Sequence, residues 1–205
     1  MKTFVLLIVL SCWAGASFAQ KSAARLFSTP ILTDTLSTLF IPTLYNEKFL
    51  SDNKIVNWNN YYANIVVYNF KADSYRNLFE KDTYIEALQN GYGYGARADD
   101  KIKYLTTKWV FMLVKATDTN KSGRIDEKDP SILFAVSTDG QRIKQLTTEK
   151  ESVVNVESYQ EQGFMLIKVQ RDSDNDGSFR YEDHDFYFRK VNIEDLALGK
   201  EIEIR

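Results

Sequence analysis

Two acidic stretches carry the residue types and spacing that bind a hard cation. The first is Asp118-Thr119-Asn120-Lys121-Ser122-Gly123-Arg124-Ile125-Asp126-Glu127-Lys128-Asp129. The second is Asp172-Ser173-Asp174-Asn175-Asp176-Gly177-Ser178-Phe179-Arg180-Tyr181-Glu182-Asp183. Calcium (Ca2+) takes six to eight oxygen ligands, and short Asp, Asn and Ser side chains at alternate positions of a tight loop converge on one point. Both stretches fit the twelve-residue calcium loop at positions 1, 3, 5, 6 and 12. The expected ligands of the first loop are Asp118, Asn120, Ser122, the Arg124 carbonyl, Asp126 and Asp129. Those of the second are Asp172, Asp174, Asp176, the Ser178 carbonyl and Asp183. Gly123 and Gly177 stand where the turn needs a positive φ, and Ile125 and Phe179 stand where an apolar residue returns the loop to the core.

The loops need elements to carry them, and the flanking sequence reads as strands. Phe111-Met112-Leu113-Val114-Lys115 recurs as Phe164-Met165-Leu166-Ile167-Lys168, and each copy runs into one acidic loop, with one residue added between strand and loop in the second. An apolar strand follows each loop: Ile132-Leu133-Phe134 in the first copy, Phe186-Tyr187-Phe188 in the second. A fainter copy lies upstream. Ile65-Val66-Val67-Tyr68, Lys71-Ala72-Asp73 and Arg76-Asn77-Leu78-Phe79 parallel Ile132-Leu133-Phe134-Ala135, Thr138-Asp139-Gly140 and Lys144-Gln145-Leu146-Thr147. Each is a strand, an Asp-containing turn and a strand. Alternation and β-branched or aromatic runs predict strands over Lys54–Asn57, Ala63–Phe70, Lys108–Ala116, Ile132–Ser137, Ser152–Glu157, Gly163–Gln170, Asp185–Val191 and Glu201–Ile204. Tyr75–Gln89 is the best helix candidate, through Leu78, Tyr84, Ile85 and Leu88, with a short helix or an irregular excursion as the alternatives, and residues 20–32 read as a loosely held lead. The expected fold is mainly β: a propeller-like array of antiparallel hairpins, with calcium loops flanked by strands. Pro130 directly after Asp129 supports that flank, because the residue before proline is pushed out of helical geometry.

The loops resemble the calcium loops of EF-hands and dockerins, and dockerin loops also end in Asp. Strand-flanked versions resemble the calcium loops of integrin-type propeller blades. Ile132–Thr147 resembles the strand–turn–strand of a TolB-type propeller repeat, with its Asp139-Gly140 turn and closing Leu146-Thr147. The resemblance implies outer strands of a blade. Three recognisable units leave open an array of three or a ring completed by the N-terminal segment, since a closed propeller takes at least four blades. The loops depart from the EF-hand pattern at position 12, where Asp replaces Glu. In the second loop they depart again at position 9, where Arg180 cannot ligate and a water or Glu182 must substitute. The expected affinity is that of extracellular modules, about 10⁻⁴ to 10⁻³ M or somewhat tighter.

Composition sets the compartment and the excluded classes. The chain has 205 residues, one His, one Cys and a formal net charge of −2. One His excludes a multi-histidine zinc cage, and the absence of basic excess gives no argument for nucleic acid. Residues 1–19 read as a signal peptide: Met1-Lys2, an uncharged apolar stretch, and a small-x-small site at Ser17-Phe18-Ala19 that leaves Gln20 first. No transmembrane helix is expected after that cleavage. Val9-Leu10-Ser11-Cys12 offers the alternative of lipidation at Cys12. The expected location is secreted or periplasmic, facing the cell envelope. No nucleophile elbow, phosphate loop or dinucleotide fingerprint occurs, so no catalytic residue is expected. His184 between Asp183 and Asp185 reads as a solvated loop residue, and Gly91-Tyr92-Gly93-Tyr94-Gly95 as a contact loop. Trp58, Tyr61, Tyr62 and Tyr68 read as cross-strand packing or as a platform for a glycan or an envelope protein. The function these features predict is a secreted or envelope calcium-binding β module, a non-catalytic interaction module in which the metal stiffens the loops; the alternatives are a glycan- or protein-binding propeller-like module of the cell envelope and a calcium-assisted hydrolase.

Overall fold

The architecture is given by a computed structural model, which describes residues 26–28, 30–34, 37–44, 62–88, 108–180 and 182–203. The expectations for residues 1–19, Cys12, Lys54–Asn57, Trp58, Tyr61 and Gly91–Gly95 lie outside the described residues.

The β-branched and aromatic runs fold as thirteen strands among the described residues: β1 (Leu26–Phe27), β2 (Ile31–Asp34), β3 (Thr38–Leu44), β4 (Tyr62–Asn69), β5 (Ser74–Asn77), β6 (Tyr84–Leu88), β7 (Trp109–Lys115), β8 (Ile132–Ser137), β9 (Ile143–Gln145), β10 (Glu151–Tyr159), β11 (Phe164–Arg171), β12 (Phe186–Asn192) and β13 (Leu198–Ile202). The one helical element described is a 3-10 turn over Gln160–Gln162, and no helix described is long and apolar enough to cross a membrane. Every pairing is antiparallel.

Sequence neighbours pair in turn, so the strands form three successive four-stranded meanders. They are β2-β3-β4-β5, β6-β7-β8-β9 and β10-β11-β12-β13, with β1 extending the edge beside β2 on β3. The first two join into one nine-stranded sheet through the pairing of Tyr62 with Ile85. The third is a separate sheet, tied to the second where the Val153 amide donates to the Ser131 carbonyl at 2.8 Å.

The middle meander is buried on both faces, which explains why β7 and β8 are continuous apolar runs instead of alternating ones. Val110, Met112 and Val114 face the first meander and pack with Phe40, Ile65 and Val67. Phe111, Leu133 and Ala135 face the third and pack with Met165, Ile167 and Val169. Burial of each such side chain is worth about 1.5–3 kcal/mol.

Three sequence expectations are corrected. Tyr75–Gln89 is not a helix: its start is β5, with Tyr75 paired to Tyr68, and its end is β6, with Ile85 paired to Val114. The helical spacing of Leu78 and Ile85 also suits two apolar anchors reaching one core, one just past the end of β5 and one within β6, and the sheet ladder on either side wins over local periodicity. Residues 20–32 are not a loose lead throughout, because Leu26–Phe27 and Ile31–Leu32 pair with β3. Strand β3 was not anticipated, because Pro42 lies inside it; proline removes a donor there while its carbonyl still accepts the Ser28 amide at 2.8 Å. The last strand runs Leu198–Ile202 instead of Glu201–Ile204.

Candidate metal centre

Each acidic loop joins the second strand of a meander to the third. The first runs from β7 to β8, the second from β11 to β12. The two share one backbone path. Lys121 (φ 58°) and Asn175 (φ 60°) are left-handed at position 4, and Gly123 (φ 91°) and Gly177 (φ 78°) at position 6.

The first carboxylate of each loop gathers the turn. Asp118 accepts the amides of Ser122 at 3.0 Å and Gly123 at 2.8 Å. Asp172 accepts those of Asp176 at 3.2 Å and Gly177 at 2.9 Å. Position 3 leans onto the same amide: Asn120 Oδ1 accepts the Ser122 amide at 2.9 Å and Asp174 Oδ1 the Asp176 amide at 3.1 Å. These bonds turn the alternate side chains toward one side of the loop. In the second loop the carboxylate oxygens of Asp172, Asp174 and Asp176 lie within 4.8 Å of one another, a group that could hold a metal ion. In the first loop Ser122 Oγ donates to the Arg124 carbonyl at 2.9 Å and lies 3.4 Å from Asp126 Oδ2. Positions 5, 7 and 9 therefore bring their oxygens together.

Position 12 does different work. Asp129 and Asp183 are buried and bind their own loops. Asp129 accepts the Thr119 amide (2.8 Å) on one oxygen and the Asp126 amide (2.7 Å) on the other, while the Thr119 hydroxyl donates to the Gly177 carbonyl at 2.6 Å. Asp183 accepts the Ser173 amide (3.2 Å) and hydroxyl (2.6 Å), and the Arg180 amide (3.0 Å). The Ser173 hydroxyl bond, with burial opposing it and the Arg180 and Ser173 amides aiding it, holds the Asp183 carboxyl below its ordinary range. The acidic group that could hold a metal, Asp172, Asp174 and Asp176, does not include Asp183.

Several residues that shape the loops were not singled out from sequence. Thr119 and Ser173 at position 2 both give their amides to the position-12 carboxylate, but the Ser173 hydroxyl stays within its own loop on Asp183 while the Thr119 hydroxyl reaches Gly177 of the other. Buried Lys115 donates to the Glu127 and Asp129 carbonyls, and Gln170 Nε2 donates to the Arg180 carbonyl at 2.5 Å and the Asp183 carbonyl at 2.9 Å. The repeated hydroxyl at position 2 was the available signal. Arg180 at position 9 carries its guanidinium to Asp176, Nη2 to Oδ2 3.1 Å, and to Ser178 Oγ at 3.4 Å. His184 is exposed. Of the aromatic group, Tyr62 packs against the core and the Tyr68 hydroxyl donates to Asp73 at 2.9 Å.

No family model matches the chain, those of EF-hands and dockerins included, and no curated protein matches it. Among solved structures the chain is similar to one described as an oligogalacturonate lyase in complex with manganese, with 11% identity and a TM-score of 0.46. The similarity covers 87% of this chain and 42% of that one, so the chain spans less than half of that structure's length.

Proposed function

We propose that this chain is a secreted or envelope-facing calcium-binding β protein, a non-catalytic interaction module whose three meanders are blades of a propeller-like array. Calcium is structural in this reading. It sits in the loop between the second and third strands of two successive blades and fixes that connection. The observation that carries the reading is the repetition: two loops at the same place in the meander, with the same left-handed residues at positions 4 and 6 and the same bonds from positions 1, 3 and 12. Short oxygen side chains suit a hard cation that tolerates irregular geometry. A cation that binds the folded state alone stabilises it by mass action, by about 2.7 kcal/mol at a hundredfold excess over the dissociation constant.

The test is calorimetric titration with calcium, paired with thermal melts in calcium and in chelator. Two ions per chain and a melting temperature raised by millimolar calcium are expected, with Asp118→Ala and Asp172→Ala each removing one ion. No heat of binding and no shift in melting temperature at millimolar calcium would overturn the reading.

A further inference from the structure

We propose that two copies of this chain dock head to tail, the far face of the third meander of one copy against the far face of the first meander of the other. The proposal rests on the array of meanders and not on the calcium reading. It is carried by the repeat itself. Phe111 and Leu113 of β7 recur as Phe164 and Leu166 of β11. In the second meander these positions face the third and are covered by it: Phe111 is fully buried, and Leu113 packs on the same core. In the third meander the same positions have no following meander among the described residues, and Phe164 and Leu166 stay half-buried.

The face on which they stand is continuous. Met165, Ile167 and Val169 point back to the second meander, so the alternate residues of β11 point away from it. Register sets Tyr159 beside Phe164, and Phe188 between Lys168 and Ile202. Tyr159 is 42% exposed and Ile202 50%. The other end of the array is open too. Phe40, Ile65 and Val67 point to the second meander. On the opposite side, register sets Ile41 beside Val66, Leu39 beside Tyr68, and Tyr68 beside Tyr75, which is 78% exposed. Among the described residues no strand packs on either end face.

Charge selects how the faces pair. On the third-meander face Lys190 Nζ lies 4.6 Å from the centre of the Phe164 ring, and Lys168 Nζ lies 4.6 Å from that of Phe186. Set against its own copy, this face would bring lysine onto lysine, which disfavours a like-to-like contact. Strands β3, β4 and β5 carry one charged side chain, Arg76, which turns toward the second meander and donates to the Gly140 carbonyl. The first-meander face therefore meets the lysines with the Tyr68 and Tyr75 rings, whose faces attract ammonium groups. Three meanders are too few for a closed ring, which takes at least four blades, whereas two copies joined at both ends suffice. The faces are covered only above the dissociation constant of the pair, so the separate chain in dilute solution keeps Phe164 half-buried.

The experiment is sedimentation of the whole chain over a concentration series, in calcium and in chelator. It is repeated for Tyr75→Glu and Ile202→Glu, each alone and the two mixed. Both side chains are exposed in the separate chain, so each variant is expected to keep the melting temperature of the unmodified chain in dilute solution. The unmodified chain is expected to double its mass as concentration rises, with or without calcium. Each variant is expected to weaken pairing at least about tenfold, because it places an unpaired charge in an apolar contact. An equal mixture is expected to pair more tightly than either variant alone, since one of its two junctions carries neither change. A monomer at every concentration, in both conditions, would overturn the docking and leave the calcium reading to its own titration. Pairing weakened by Ile202→Glu but untouched by Tyr75→Glu would overturn the head-to-tail arrangement.

Discussion

Arg180 Nη2 lies 3.1 Å from Asp176 Oδ2, within the one loop whose three carboxylates converge. The corresponding position of loop one holds Asp126, whose Oδ2 lies 3.4 Å from Ser122 Oγ. Loop two therefore has a guanidinium where loop one has a carboxylate. Both partners are well exposed, so the pair itself is worth no more than about 1 kcal/mol. Its larger consequence is for an incoming metal, which must displace a guanidinium and finds one ligand fewer. Arg180→Asp is expected to tighten calcium binding at loop two by about tenfold, because ligand charge count tunes such loops over decades. Titration in an Asp118→Ala background isolates loop two. An unchanged affinity there would show that position 9 takes no part in the site.

The two position-6 glycines separate backbone strain from loop contact. Both are left-handed, but Gly123 has open space where a Cβ would stand, whereas Gly177 abuts the Thr119 carbonyl. Gly123→Ala is expected to cost about 1–2 kcal/mol, the ordinary penalty of a Cβ in that conformation. Gly177→Ala adds a clash of Cβ against backbone and is expected to cost at least about 1–3 kcal/mol more, the range seen for overpacking. Denaturant melts of the two variants in chelator check this; equal losses would show that loop two is free to move away from loop one.

What the sequence made legible follows from how local each signal is. Strand β8 was read with its observed ends, and β4, β7, β11 and β12 within a residue or two. Their apolar runs are long, and their turn residues Asp73 and Asp139-Gly140 are plain. The two turns were readable because their Asp, Asn, Ser and Gly residues sit at fixed spacing, and the left-handed residues at positions 4 and 6 recur with them. The meander pairing of Tyr75 and Ile85 was not readable, since the same apolar residues satisfy a helical period until long-range partners are known. Strand β3 was hidden by Pro42, which reads as a breaker until its long-range partners, the Ser28 amide on one side and Ile65 of β4 on the other, are known. Arg180 could be excluded as a ligand from its type alone, but its reach to Asp176 is a matter of geometry.

Phe111 and Phe164 are equivalent in the repeat but not in their surroundings. Phe111 is fully buried between the second and third meanders. Phe164 is half-buried on the far face of the third, stacked on Tyr159 at 5.0 Å with Lys190 Nζ 4.6 Å from its ring centre. Phe111→Ala opens a cavity and is expected to cost about 3–5 kcal/mol. Phe164→Ala loses partial burial and a cation–π contact and is expected to cost about 1–2 kcal/mol. Urea unfolding of both variants measures the difference. Equal costs would mean that the outer face of the third meander is covered in solution.

The third meander also carries an ionic clasp whose response to acid has a definite sign. Glu201 accepts from both Arg171 and Arg189, and Arg189 Nη2 lies 3.6 Å from Glu151 Oε1. Glu151 in turn accepts the Tyr187 hydroxyl at 2.6 Å. Burial opposes ionisation of Glu201, but the two guanidinium groups outweigh it and hold its carboxyl below the ordinary range. A carboxyl whose folded value lies below its unfolded value, about 4.3 for Glu, binds fewer protons when folded. Its contribution is complete above the unfolded value and is lost as pH falls through the folded one. Stability in chelator is therefore expected to fall as pH drops below about 5, and to fall less steeply in Glu201→Gln, whose side chain does not titrate. The same steepness in both proteins would assign the acid sensitivity to other carboxylates.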